Sequence, residues 1–385
     1  MRAATLLALL PLASAVPFSI TKRDSPAPVL VPRGGRLLEN KYIVRMKDGS
    51  FTTAVSSAIS SIKADADYTY TRGFNGFSAT LDADELENLR NDPNVDYIEQ
   101  DAVMRIFATQ EDAPWGLARI SSQQPGGTTY TFDESAGEGT CAYVLDTGID
   151  ITHPDFEGRA VWGGNFADNS DQDGQGHGTH CAGTIGSLTH GVAKKTTLIA
   201  VKVLDDSGSG SNSGVIAGME FVVDDAPQRD CPNGVVVNMS LGGGFSAAIN
   251  SAAAAIVDAG LFLAVAAGNE ATSAGTSSPA SEPKACTVGA TDANDVLADF
   301  SNFGREVDVL APGVDILSTI PDGQTASFDG TSMASPHVAG LAAYFMGLGQ
   351  GAEGLCNFIA QNSLKGVISG VPNGTANALI NNGEQ

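Results

Sequence analysis

The stretch Cys141-Ala142-Tyr143-Val144-Leu145-Asp146-Thr147-Gly148 decides the fold. Five apolar residues follow one another without alternation and stop at a carboxylate. A strand with one wet face interleaves polar residues; this one has none, so both faces are buried. The same shape recurs outward along the chain. Thr197 to Leu204 ends at Asp205-Asp206, Gly234 to Met239 ends at Ser240-Leu241-Gly242-Gly243, and Leu261 to Ala267 ends at Gly268-Asn269. Between these runs lie stretches of helical character: His177 to Ser187, Ser213 to Asp224 and Ser246 to Asp258. Buried strands alternating with helices predict an α/β fold, a parallel sheet flanked by helices. In such sheets the working residues gather beyond the carboxyl ends of the strands, where this chain carries its Asp, Ser, Asn and Gly residues.

Three motifs carry chemistry together. Asp146-Thr147-Gly148 follows a strand. Gly176-His177-Gly178-Thr179-His180-Cys181 opens a helix. Gly330-Thr331-Ser332-Met333-Ala334-Ser335-Pro336 precedes an apolar helix expected over His337 to Met346. A hydroxyl is a weak nucleophile at neutral pH and needs an imidazole to take its proton. The imidazole needs a carboxylate to fix its tautomer and stabilise its charged form. One Asp, one His and one Ser, each among small residues that admit a substrate, meet that need. Each motif alone also has a structural explanation: a turn, a helix start, an N-cap. Their joint occurrence, with Asn269 at a further strand end, points to catalysis.

Composition bounds the rest. Of the net charge of −23, residues 1–107 contribute almost nothing, with 12 Lys/Arg against 13 Asp/Glu; residues 108–385 hold 9 against 31. An acidic body excludes a general nucleic-acid binder, since a phosphate backbone calls for a basic surface. It also predicts a body that is not drawn electrostatically to anionic surfaces. The N-terminus reads as a secretory signal over residues 1–15: Arg2, an apolar run from Leu6 to Leu12, then Ala13-Ser14-Ala15. That run is too short to span a bilayer, and no later segment is long enough, so a secreted, extracellular product without a membrane segment is expected. Five cysteines in an oxidising compartment allow at most two disulfides and one free thiol, in fifteen arrangements. Val16 to Leu38, rich in Pro, Gly and Arg, reads as a linker. Lys41 to Met46, Gly73 to Leu81 and Val95 to Glu99 read as strands, with helices over Thr52 to Lys63 and Asp82 to Asn91, the latter capped by Asp82. That order describes a small α+β domain.

From Ala113-Pro114-Trp115-Gly116-Leu117-Ala118-Arg119-Ile120 to Leu379 the chain resembles the subtilisin-like serine proteases, within them the proteinase K-like group of fungal secreted enzymes. Gly176 to Gly183, Ser240 to Gly244 and Gly330 to Ala343 are similar to the family's active-site motifs, and the order Asp, His, Ser is that of subtilisin. Residues 41 to about 103 resemble the inhibitory, ferredoxin-like propeptide of the same family. The resemblance implies a propeptide over 16–107 that aids folding and inhibits, and a catalytic domain over 108–385. It implies a monomeric endopeptidase with Ser332 as nucleophile, His177 as general base and acid, Asp146 as orienting carboxylate and Asn269 as oxyanion donor. Gly208-Ser209-Gly210 is similar to the segment that pairs with an extended peptide. Ser240-Leu241-Gly242 and Ala266-Ala267-Gly268 resemble the walls of the first substrate pocket. These small residues leave room for a large apolar side chain and supply no charge; a cut before Ala108 places Phe107 there.

The resemblance further implies the pairs Cys141–Cys231 and Cys286–Cys356. Cys181 stays free, one helical turn after His177 and so on the same face, as a small buried residue. A zinc site built on Cys181, His177 and His180 is rejected, because it would consume the catalytic imidazole. A calcium ion is implied at Asp308 with the carbonyls of Pro283 and Ala285, oxygen ligands that suit Ca²⁺. A second calcium site is doubtful, because Val367 stands where the group has an Asp. Asn373-Gly374-Thr375 matches the glycosylation triplet; Asn238-Met239-Ser240 also matches but is expected to be buried. Two other readings fit less of the sequence: an inactive relative that only binds peptides, and the acid-active serine-carboxyl class, which works without the histidine.

Overall fold

The computed structural model describes residues 25–32, 37–49, 52–71, 74–102 and 107–384. The expected signal at 1–15 lies outside them. The chain divides into two compact units, residues 1–104 and 105–385.

The front unit contains β1 (Val29–Leu30), β2 (Leu37–Met46), α1 (Thr52–Ile59), β3 (Tyr68–Tyr70), β4 (Gly76–Thr80), α2 (Ala83–Arg90) and β5 (Val95–Ala102). Its sheet has the order β1-β5-β2-β4-β3. Val44, Met46, Phe77, Ala79, Leu89, Val95 and Ile98 form its core. Asp82 caps α2 in a reciprocal capping box: its carboxylate accepts from Glu85 N at 2.8 Å, and Glu85 accepts from Asp82 N at 2.9 Å. Two boundaries differ from expectation. The linker reading to Leu38 is too long, because Val29 and Leu30 pair in parallel with Ile98 and Glu99, and β2 already begins at Leu37. A two-residue edge strand offers no period to read. Helix α1 stops at Ile59 rather than Lys63, because the hydroxyls of Ser60 and Ser61 bond back to the carbonyls of Ser56 and Ala58.

The second unit begins with β6 (Phe107–Gln110), which pairs antiparallel with β7 (Tyr130–Asp133), and α3 (Trp115–Ile120) lies between them. The main sheet uses β8 (Thr140–Asp146), β9 (Ala160–Asn165), β10 (Thr197–Lys202), β11 (Gly234–Met239), β13 (Phe262–Ala266), β15 (Cys286–Thr291), β16 (Val309–Pro312), β19 (Leu364–Lys365) and β20 (Ala378–Leu379). Two short ribbons complete the strands: β12 (Gly243–Gly244) with β14 (Ser277–Ser278), and β17 (Ile316–Ile320) with β18 (Gln324–Phe328). The nine main strands run in the order β19-β20-β16-β15-β13-β11-β8-β10-β9, parallel except at β19. Strand β8 is buried along its whole length.

Its side chains divide between two cores. Ala142 and Val144 pack on the side of α4 (His177–Gly186) and α7 (Thr331–Gly347). Cys141, Tyr143 and Leu145 pack on the side of α5 (Asn212–Asp225) and α6 (Ala247–Asp258). A last helix, α8 (Leu355–Asn362), follows. Disulfides join Cys141 to Cys231 and Cys286 to Cys356, and Cys181 is free and buried. Among the described residues no helix is long and apolar enough to cross a membrane.

One correction bears on the site. The helix expected from His337 begins at Thr331, so Ser332 lies inside its first turn and Pro336 inside the helix. Proline normally marks a boundary because it lacks an N–H, but here side chains supply the missing donor, as described below.

A buried ion pair fixes α3 to the rest of this unit. The Arg119 guanidinium donates to both carboxylate oxygens of Asp295, at 2.7 and 2.8 Å, and both side chains are nearly inaccessible. Removing one partner leaves the other charge buried alone. Asp295→Ala is therefore expected to lower stability by about 3–5 kcal/mol, read as a fall in the thermal unfolding midpoint. An unchanged midpoint would contradict this role.

Candidate active site

Strand β8 ends at Asp146, whose side chain is wholly buried. Its Oδ1 accepts from His177 Nδ1 at 2.8 Å and from Thr147 N at 2.7 Å, and its Oδ2 has no partner among the described residues. His177 is the first residue of α4. Burial alone would push its pKa down; the adjoining Asp146 carboxylate prevails and holds it well above the ordinary imidazole value. The bond to Asp146 assigns the proton to Nδ1 and leaves Nε2 as the ring's acceptor in the neutral form.

The approach of helix to strand depends on small residues and on one aspartate that sequence reading missed. A Cβ on Gly178 would lie 2.1 Å from the carbonyl oxygen of Gly148. Thr147 Oγ1 accepts from Gly178 N at 2.9 Å and donates to Asp173 Oδ1 at 2.7 Å. Asp173 also accepts from Gly176 N at 2.7 Å and from Thr179 N at 2.9 Å, so it caps α4 where Gly176 has no side chain to do so. A carboxylate at a helix N-terminus also opposes the macrodipole favourably. The available signal was an Asp four residues before the helix's first residue.

Ser332 stands near this pair. Cys181 Sγ lies 3.9 Å from His177 Nδ1 and 3.4 Å from the carbonyl oxygen of Ser332, one small buried side chain between the two. Burial raises the Cys181 thiol's pKa, so it stays protonated. The Ser332 hydroxyl donates to the carbonyl of Ser240 at 3.0 Å. Asn269 Oδ1 accepts from Thr331 N and Oγ1 at 2.9 and 2.8 Å, which turns its Nδ2 outward as a donor beside Ser332. His180 belongs to the frame: its Nε2 donates to the carbonyls of Ile316 and Ala326, its ring stacks on Phe328, and burial pushes its pKa down to about 4. It ties α4 to the β17–β18 ribbon, which separately disfavours a zinc site.

Two cavities flank these groups. The first, about 540 Å³, is lined by His177, Gly208, Ser209, Gly210, Ser240, Leu241 and Gly242, over apolar walls of Leu204, Val215 and Ile249. The second, about 360 Å³, is lined by Leu241, Gly242, Ala266, Ala267, Gly268, Asn269 and Ser332. The residues expected to bind substrate each line one or both of these cavities, which share Leu241 and Gly242. Glu270, which the sequence reading did not single out, also lines the second cavity, and Asn302 Nδ2 holds its carboxylate at 2.7 Å. A Cβ on Gly268 would collide with both Asn302 and Glu270, which explains the glycine.

Apart from this site, Asp308 is pushed up to about 6 by burial although its Oδ2 accepts from Thr287 N at 2.8 Å. Pro283 and Ala285 line the same cavity. Asn373 is exposed, whereas Asn238 is wholly buried.

A parallel sheet that delivers a buried carboxylate, an imidazole and a helix-borne serine to its carboxyl edge defines a class, the α/β serine hydrolases. A sequence model of the Subtilase family matches residues 137–362, and one for Peptidase inhibitor I9 matches residues 41–107. Proteinase T of Parengyodontium album is 69% identical over 290 residues, covering 75% of this chain and 99% of that protein. The cuticle-degrading protease of Metarhizium anisopliae is 52% identical over 388 aligned positions, covering all of both chains. A crystal structure of a cold-adapted subtilisin-like serine proteinase matches with a TM-score of 0.67 and 40% identity, over 71% of this chain and 99% of that one. The chain belongs to the subtilase family, in its proteinase K-like group, and is a serine endopeptidase made with an I9 propeptide.

Proposed function

We propose that the chain is a secreted zymogen and that Asp146, His177 and Ser332 perform its peptide hydrolysis. The observation that supports this most directly is the 2.8 Å bond from His177 Nδ1 to Asp146, which leaves Nε2 to receive a proton. Ser332 Oγ attacks the substrate carbonyl carbon as its proton passes to His177 Nε2. The imidazolium formed is stabilised by Asp146. Negative charge develops on the carbonyl oxygen, facing Asn269 Nδ2 and the backbone N–H of Ser332. Collapse expels the amine, which takes the proton from Nε2. Water, deprotonated by the same nitrogen, then releases the acyl group from Ser332.

The substrate lies extended between Gly208–Gly210 and Ser240–Gly242, using backbone pairing for affinity. The residue before the cut enters the second cavity. Its small walls favour large apolar or aromatic side chains, and Glu270 at its edge disfavours acidic ones. The signal is residues 1–15, the propeptide 16–107 and the enzyme 108–385, released by a cut before Ala108. The propeptide is the enzyme's own inhibitor, and the enzyme acts as a monomer. Asn373 carries the glycan.

Asp308 with the carbonyls of Pro283 and Ala285 would hold one structural Ca²⁺. A partly buried carboxyl whose pKa is raised by desolvation, in one cavity with Pro283 and Ala285, fits that role. When bound, the ion supplies positive charge to a desolvated carboxylate and ties the 283–285 loop to the sheet.

Three outcomes are expected. Ser332→Ala abolishes cleavage of peptide and leaves the precursor unprocessed on a denaturing gel; continued self-processing would refute the assignment of Ser332. Because His177 must be neutral to accept a proton and its pKa is raised, kcat/KM rises with pH along a limb centred above the ordinary imidazole value of about 6.5. A limb at or below that value would contradict the ion pair. Calcium chelation lowers the thermal midpoint of the native chain but not of Asp308→Asn; equal shifts in both would place the ion elsewhere.

A further inference from the structure

Pro336 lies four residues after Ser332 in α7 and has no N–H, so the carbonyl of Ser332 loses its helical donor. Side chains from outside the helix replace it. Ser240 Oγ donates to that carbonyl at 2.7 Å, beside the longer contact from Cys181 Sγ. Ser240 Oγ in turn accepts from Asn238 Nδ2 at 2.9 Å, and Asn238 Oδ1 accepts from Ser335 Oγ at 2.8 Å. The four residues form one chain of hydrogen bonds whose two ends, Ser335 and Ser332, both lie on α7. Ser332 and Ser335 come from the start of α7, Asn238 from the end of β11 and Ser240 from the residue just after it. A carbonyl can only accept, so Ser240 must donate to it. Ser240 must then accept from an amide N–H, which turns Asn238 Oδ1 to Ser335. The polarity of every bond follows from the one acceptor at Ser332.

This chain of bonds also costs stability. Asn238 is wholly buried and follows Val235-Val236-Val237 in a strand at the centre of the sheet. A buried amide costs free energy unless fully bonded, whereas an apolar residue at that place would not. Ser335 is equally buried. The chain of bonds ends on the Ser332 carbonyl, and the Ser332 hydroxyl is held by the Ser240 carbonyl as well.

We infer that Asn238 and Ser335 are positioning residues, which act through Ser240 to fix the backbone of Ser332. They thereby fix the place of its Oγ and of its N–H. This rests on the reading of Ser332 as nucleophile.

The test compares the processed enzyme with Asn238→Ala, Ser335→Ala and the double variant, each counted by active-site titration. It measures kcat, KM and the rate at which a small fluorophosphonate labels Ser332. A misplaced nucleophile lowers kcat and the labelling rate together, by about tenfold for Asn238→Ala, with KM within about twofold. The double variant falls no further than Asn238→Ala, because both residues act through one chain. Should Asn238→Ala yield no processed enzyme, Ser335→Ala, which removes a single oxygen, carries the test with a smaller fall in the same two rates. Variants that lose only thermal midpoint, with kcat and labelling unchanged, would overturn the inference and leave Ser332 as nucleophile. No labelling at Ser332 in the unmodified enzyme would instead overturn the reading beneath it.

Discussion

A buried carboxylate bonded at 2.8 Å to an imidazole on the neighbouring helix sets the terms for the structure around it. Asp146 ends a strand with no accessible surface, and His177 begins a helix that must come close enough to touch it. That approach requires Gly178, since any side chain there meets the carbonyl of Gly148. It also requires Thr147 and Asp173, which bond the first N–H groups of the helix to the turn after the strand. A carboxylate in low dielectric is costly unless a cation or donors answer it. Here the donors are His177 and Thr147, and the other oxygen has no partner among the described residues. The pair therefore favours the protonated imidazole, and the same preference serves when that ring takes up a proton.

The opposite side of the site follows a second constraint. Helix α7 presents its first turn to the sheet's carboxyl edge while containing a proline. The carbonyl freed by that proline draws polar side chains into the interior from the central strand β11, which is otherwise apolar except for Asn238. Sheet and helix are thus joined by oriented hydrogen bonds at the start of α7, in addition to the apolar packing along the helix. Packing tolerates small shifts that a directional bond does not. The polar interior is concentrated where position matters for chemistry.

Much of this was legible in the sequence because buried parallel strands and their endings have a plain signature. Residues 141–146 read directly as a two-face-buried strand with a carboxylate at its end, and Ser240 to Gly242, Gly268 and Asn269, at two other strand ends, line the two adjoining cavities. What was not legible depended on three-dimensional neighbours. The start of α7 at Thr331 was hidden by Pro336, whose usual cost is met by Ser240 on another element. Asp173 reaches its helix across an intervening turn. Glu270 enters a cavity only because Asn302 holds it there. The edge strand at Val29 is two residues long and gains its identity from Ile98 and Glu99. In each case the deciding partner lies far along the chain.

The central claim is that Asp146 fixes His177 with its proton on Nδ1, leaving Nε2 to exchange protons with Ser332. Nitrogen-15 and proton NMR of the mature enzyme, with labelled histidine, reports the tautomer directly across a pH titration. The account predicts a downfield Nδ1 proton that persists in both charge states of His177, while Nε2 alone titrates. It further predicts that this resonance is lost in Asp146→Asn. A neutral His177 carrying its proton on Nε2 would contradict the account.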